Sequence, residues 1–278
     1  MKVAFIGLGI MGMPMATNIA KQYDLIGYDI VKKETPFPFA SSYKEAVEGR
    51  DVIISMVPKS EHALALYNEL SKYLKPGQIC IDMSTISVEA SRKIAAKLED
   101  LGVEMLDCPV VKSQPAAVKG ELGIYVGGKE EVYEKVKPIL SCMGKNIIHI
   151  GGHGDGALMK ILHNCLVGEI QNGVNEVLGL AESCGLDLNK VVTAFSYGGA
   201  QNFYMDGKAK NIMAREYPTA FSVANMNKDV HFAREIADAK GKEMPALTRV
   251  VKVYEKAMEE GREKEDFSAT YDIVNPKE

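Results

Sequence analysis

Apolar positions fall into short runs that alternate between two periods. "KVAFI" (2–6) is a compact run of strand length, "MGMPMATNIAKQY" (11–23) places apolar residues at helical spacing, and "DLIGYDI" (24–30) returns to a strand pattern. The alternation continues through the strand "DVIISMVP", the helix "SEHALALYNELSKYL", the turn "KPGQ" and the strand "ICIDMS". A helix "VEASRKIAAKLEDLG", strands "VEMLDCPV" and "LGIYVGG", a helix "EEVYEKVKPILSCMG" and a strand "NIIHIG" follow. Strand and helix repeated with short connections predict an α/β domain with a doubly wound, mostly parallel sheet and helices on both faces.

From about residue 155 the period changes. "GALMKILHNCLVGEIQNGVNEVLGLAESCG" is one long helical pattern, and further helices are expected around 188–197, 202–215, 221–241 and 245–260. The second half therefore reads as an all-α domain packed around the first long helix. The division is expected at 1–153 and 154–278, in the glycine-rich loop of Gly151 to Gly156.

Composition narrows the partners. Hydrophobic residues make up 46% and charged residues 25%, ordinary for a globular chain, so long disorder is excluded. The net charge of -4 gives no reason to expect nucleic acid or an acidic membrane, and leaves a small charged metabolite as the partner. No stretch of about 18 apolar residues is present, and no leader of signal-peptide pattern precedes "KVAFIG". Five scattered cysteines without a C-x-x-C pair suit reduced thiols in a cytoplasmic protein. His149 and His153 flank two glycines rather than share a helix face, so no metal site is expected.

The chemistry begins at "GLGIMG". Gly7, Gly9 and Gly12 fit G-x-G-x-x-G, a weak pattern alone, but here it closes a strand, opens a helix, and is followed by Asp29 at the end of the next strand. Gly7 would permit the turn, Gly9 the approach of a pyrophosphate to the backbone, and Gly12 the packing of helix on strand, with Leu8, Ile10 and Met11 between them. Helix N-terminal N–H groups would face the phosphates. Asp29 would accept from the adenosine ribose and repel a 2'-phosphate, so NAD is favoured, with NADP as the alternative if Lys32 or Lys33 outweighs it. Met56, Val57, Pro58, Ser84 and Thr85 lie at two later strand ends, on the cofactor edge of such a sheet.

Five ordered blocks, "FIGLGIMGMPMATNIA", "DMSTIS", "DCPV", "GDGALMKILHN" and "NKDVHFA", with a terminal "DFSA", make the chain resemble the β-hydroxyacid dehydrogenases end to end. That family includes 3-hydroxyisobutyrate dehydrogenase and tartronate semialdehyde reductase. The resemblance implies a Rossmann-type cofactor domain and hydride exchange between a nicotinamide cofactor and a small β-hydroxyacid or semialdehyde. The lysine of G-x-G-x-x-x-K is catalytic in the family and corresponds to Lys160, with Asn164 one helical turn later on the same face. The resemblance further places Lys228 beside nicotinamide and substrate, with Asp229 supporting the site. Asp107, Pro109 and Val110 begin the family's D-x-P-V-S-G-G substrate segment, but Val111, Lys112 and Ser113 stand where Ser-Gly-Gly is expected. Lys112 would either turn inward to pair with a substrate carboxylate or outward to solvent. The apolar surface of the helical half implies a homo-oligomer, dimer or tetramer. Two rival readings are a non-catalytic cofactor-binding regulator and an imine reductase, and a lysine at position 160 argues against both.

Overall fold

The computed structural model describes residues 1–276. The chain forms two compact units, Met1–Lys160 and the part from Ile161 on. In the first, β1 (Lys2–Ile6), α1 (Gly12–Ala20), β2 (Asp24–Tyr28), α2 (Tyr43–Val47), β3 (Val52–Ser55), α3 (Ser60–Leu70) and β4 (Ile79–Asp82) come first. They are followed by α4 (Val88–Glu99), β5 (Glu104–Asp107), β6 (Val110–Val111), α5 (Gln114–Lys119), β7 (Leu122–Gly127), α6 (Glu130–Leu140) and β8 (Gly144–Gly151). All eight strands join one sheet in the order β2-β1-β3-β4-β5-β7-β6, with β8 also paired to β7.

The sheet's two apolar faces explain why its strands read as unbroken apolar runs. Val3, Phe5, Ile54 and Ile81 enter one buried cluster with Met15 and Ile19 of α1 and Val136 and Ile139 of α6. Their neighbours Ala4, Ile6, Ile53 and Cys80 enter another with Leu66 of α3 and Ile94 of α4. Successive strand side chains point to opposite faces, so only a sheet covered on both sides can bury both sets.

One expected strand is divided. "VEMLDCPV" is broken into β5 and β6, because Pro109 has no N–H to continue a ladder. β7 is antiparallel to β5 and β6, while β1 to β5 pair in parallel throughout. The short helices α2 and α5 were not legible as helices. Five and six residues hold too few turns to show a period.

The helix α7 (Asp155–Ser183) begins in the first unit and carries into the second, which adds α8 (Leu188–Phe195), α9 (Phe203–Ala214), α10 (Val223–Ala239) and α11 (Pro245–Glu259). A 3-10 turn at Phe267–Ala269 leads into α12 (Thr270–Val274). Side-chain oxygens of Asp187, Asn202 and Ser222 cap α8, α9 and α10. The middle of α7 is held by polar contacts inside this unit: Tyr254 Oη donates to Gln171 Oε1 at 2.7 Å. In "DFSA" the fully buried Asp266 accepts from Lys208 Nζ at 2.8 Å and from the Ala220 N–H at 3.0 Å. The first turn of α7 belongs to the first compact unit, because it is held by the end of β5. Among the described residues no helix is long and apolar enough to cross a membrane.

Candidate functional site

The glycine loop joins β1 to α1 in a form that only glycine allows. Gly7 has φ of 93°, and a Cβ there would collide with the Met56 carbonyl; a Cβ on Gly12 would collide with the Gly7 carbonyl. A Cβ on Gly9 would meet nothing within 4 Å, so the loop's outer side is open for a ligand to approach the backbone. Met11 stands at the N-cap of α1 and gives no side-chain cap, so an anion is a suitable partner for the first-turn N–H groups. Leu8 is buried, whereas Gly9 and Ile10 are exposed.

Asp29 follows β2 and carries a second job. Its Oδ2 accepts from the Leu8 N–H at 2.8 Å and its Oδ1 from the Val31 N–H at 2.9 Å, so it pins the glycine loop as well as its own turn. Each oxygen retains a further lone pair. Lys32 is exposed and Lys33 half-buried.

The strand ends beyond β3 and β4 are joined by a buried polar strut. The Val57 N–H donates to Ser84 Oγ at 2.8 Å, and Ser84 Oγ donates to Asp82 Oδ1 at 2.7 Å. Ser55 Oγ donates to the same Oδ1 at 2.7 Å and lies 2.8 Å from Tyr67 Oη. Burial pushes the Asp82 carboxyl up to about 6, against the lowering effect of the Ser55 and Ser84 hydroxyls, and nearby Asp107 raises it further. Ser84 is thus 2% exposed, with its hydroxyl shared between the Val57 N–H and Asp82. Met56, Val57 and Thr85 are half-buried and Pro58 is exposed. Ser55, Tyr67 and Asp82 were missed; the one signal for Ser55 and Asp82 is a polar residue ending an apolar strand, and Tyr67, within α3, gives none.

Lys160 lies near the start of α7 and is 8% exposed. Asn164, one turn later and 4% exposed, donates through Nδ2 to Asp229 Oδ2 at 2.6 Å. Asp229 of α10 is fully buried, and its Oδ1 receives Lys228 Nζ at 2.7 Å. The Lys228 ammonium also lies 5.0 Å from the Phe232 ring centre, a cation–π distance. Asn164, Lys228 and Asp229 therefore form one connected group, in which the ammonium neutralises a carboxylate that burial would otherwise penalise.

The segment 111–113 keeps the backbone of a glycine without the glycine. Lys112 has φ of 78°, in the region that favours glycine. Its Nζ donates to the Glu121 carbonyl at 2.9 Å, on the exposed side. Val111 is half-buried and packs over Gly123, its register partner on β7; Ser113 is the N-cap of α5 without a side-chain cap bond. Behind the segment, Asn18 of α1 donates to the carbonyls of Ala117 at 2.8 Å and Val118 at 3.3 Å, tying α1 to the end of α5.

Residues 2–151 match the family model for the NAD binding domain of 6-phosphogluconate dehydrogenase. Residues 154–274 match that for the NAD-binding domain of NADP-dependent 3-hydroxyisobutyrate dehydrogenase. The chain belongs to the β-hydroxyacid dehydrogenase family of NAD(P)-dependent oxidoreductases. It is 33% identical to the NAD-dependent L-serine dehydrogenase of Pseudomonas aeruginosa, over 99% of this chain and 98% of that one. It is 31% identical to the 2-hydroxy-3-oxopropionate reductase of Escherichia coli, over 97% and 95% of the two chains. The solved structure of Mycobacterium tuberculosis 3-hydroxyisobutyrate dehydrogenase with L-serine superposes with a TM-score of 0.88 at 28% identity, covering 98% of each chain.

Proposed function

We propose that this protein oxidises a small β-hydroxyacid with NAD, and in reverse reduces the corresponding semialdehyde, with Lys160 as the proton-transfer group. The observation that carries the reading is a lysine only 8% exposed, one helical turn from an asparagine held by a buried carboxylate. A lysine is rarely buried without a task. A nicotinamide cofactor, held by the glycine loop and Asp29, would supply the acceptor for the hydride that leaves the hydroxyl-bearing carbon. In that direction neutral Lys160 takes the hydroxyl proton and becomes ammonium; in reduction the ammonium returns a proton to the new alkoxide oxygen. Asn164, its amide oriented by Asp229, holds the substrate oxygen or the lysine. Lys228 serves substrate and cofactor, and Asp229 keeps both partners in place.

The cofactor would lie along Gly7 to Gly12, with its pyrophosphate at the start of α1 and its ribose at the remaining lone pairs of Asp29. Met56, Val57, Pro58 and Thr85 would line the same edge, with Ser84 supporting it from behind through Val57. This supports NAD over NADP, because the Asp29 charge repels a 2'-phosphate. The substrate carries a carboxylate, and Val111, Lys112 and Ser113 shape its site. With no hydroxyl at position 111 and the Lys112 amine turned to Glu121, substrate choice is displaced from 3-hydroxyisobutyrate towards another member of the class. The names of the relatives support L-serine and tartronate semialdehyde as first candidates.

A homo-oligomer, dimer or tetramer, is also proposed. Its support is Leu162, Leu166, Val177 and Leu180, exposed at helical spacing along α7, with Phe203 87% exposed at the start of α9. Five free cysteines fit the reducing cytoplasm. The test is nicotinamide absorbance with a panel of 3-hydroxy acids and semialdehydes, each with NAD and NADP. Turnover of none of them refutes the reading.

A further inference from the structure

Asp107 ends β5, and the family resemblance places it at the head of a substrate segment. The carboxylate is turned elsewhere. It is 2% exposed, and both oxygens are committed to the start of α7: the Gly154 N–H donates to Oδ1 and the Ala157 N–H to Oδ2, each at 2.8 Å. A helix cannot satisfy its first-turn N–H groups internally, and a negative charge there also meets the positive end of the helix dipole. Burial raises the Asp107 pKa, and those two N–H groups oppose the rise.

The backbone closes tightly around this carboxylate. A Cβ added to Gly127 would come within 2.6 Å of Asp107 Oδ1, and one added to Gly156 within 2.5 Å of the Asp107 carbonyl oxygen. The ends of β5 and β7 and the first turn of α7 are therefore in direct contact, with no room for a side chain between them. On the outside Arg92 Nε donates to the His153 carbonyl at 3.0 Å, and Nη2 lies 3.3 Å from Asp155. Lys160 follows Ala157 by less than one turn. In an α-helix the place of one residue sets that of the next three, since each adds a fixed rise and rotation.

We propose that Asp107 is a positioning residue for Lys160: by capping α7 from the end of β5, it sets the height and rotation at which the ammonium group is presented. The proposal rests on Lys160 being the proton-transfer group. Asparagine at 107 would keep one acceptor and lose the other, so Asp107→Asn frees one N–H, and Asp107→Ala frees both.

The experiment uses the full chain with Asp107→Asn, Asp107→Ala, Lys160→Ala and the double variant Asp107→Asn/Lys160→Ala. It reads kcat, KM, NADH affinity by fluorescence, and amide hydrogen exchange. Exchange is expected to rise at 154–158 more than elsewhere in the first unit. Expected losses in kcat are about 10- to 100-fold, since a small misplacement of a reacting group costs on that order, with NADH affinity changed by less than about twofold. The double variant is expected to be no slower than Lys160→Ala alone, because Asp107 has no route to the chemistry once the lysine is gone. Losses that multiply in the double variant, or raised exchange with unchanged kcat, overturn the proposal. If the Asp107 variants do not fold, Arg92→Ala loosens the same turn from outside; raised exchange at 154–158 without a lower kcat then overturns it. Near-normal turnover in Lys160→Ala sinks the proton-transfer assignment instead, and the exchange arm still reports the cap.

Discussion

Asp82→Asn is a test of how buried charge shapes this fold, and its magnitude follows from the geometry. At neutral pH the wild-type carboxylate is ionised, 1% exposed, and held through Oδ1 by the Ser55 and Ser84 hydroxyls; its Oδ2 has no hydrogen-bond partner. Burial pushes the carboxyl from its ordinary 3.8 up to about 6. A carboxyl raised in the fold gives stability that is fully present below its unfolded value and lost as pH rises through the folded one. The interval from 3.8 to about 6, at about 1.4 kcal/mol per pH unit, amounts to about 3 kcal/mol. Asparagine keeps the Oδ1 acceptor and cannot titrate, but it places an NH₂ where the unpartnered oxygen was, a roughly pH-independent cost of about 1–3 kcal/mol. The difference in stability between wild type and Asp82→Asn is therefore expected to grow by about 3 kcal/mol, in favour of wild type, on going from pH 8 to about pH 3. In thermal unfolding followed by circular dichroism that is on the order of 6–12 °C in relative Tm, because each kcal/mol moves a chain of this size by roughly 2–4 °C. Parallel Tm profiles for the two proteins would refute the argument, since the carboxylate would then be carried in the fold at no cost.

Other expectations follow from the same contacts. Lys160→Ala is expected to lower kcat by about 10²- to 10⁴-fold with NADH affinity nearly unchanged, read by absorbance and fluorescence. Asp29→Ala is expected to narrow the NAD-over-NADP ratio of kcat/KM and to weaken both cofactors, because the Leu8 N–H loses its acceptor; a wild type that prefers NADP would overturn the Asp29 argument. Lys112→Gly is expected to be more stable than Lys112→Ala by about 1 kcal/mol, the reverse of the usual order, because a side chain at φ of 78° carries left-handed strain of about 1–2 kcal/mol that outweighs glycine's entropy cost. Val111→Ser with Lys112→Gly is expected to raise kcat/KM for 3-hydroxyisobutyrate, and a loss there would show that the segment binds that substrate by other groups.

Much of the molecule can be read from local pattern because its signals are local. Compact apolar runs and period-3.6 patterns mark the strands and the long helices, and the glycine turn with Asp29 announces itself through residue types that only a tight strand-to-helix turn requires. The expected helices at 188–197 and 245–260 end within two residues of α8 and α11. Lys160, Asn164, Lys228 and Asp229 could be named from motif and resemblance. Their connections could not: Asn164 and Asp229 are 65 residues apart, and only packing brings an amide within 2.6 Å of a carboxylate. The same holds for Ser84 and Asp107. Each is buried at or just beyond a strand end, and each bonds a partner distant in sequence, Val57 for one and the first turn of α7 for the other. Chain periodicity specifies which face of an element is buried, because that depends on neighbours three or four positions away. Which acceptor a buried N–H meets depends on how strands and helices stack, and that is set by the whole core at once.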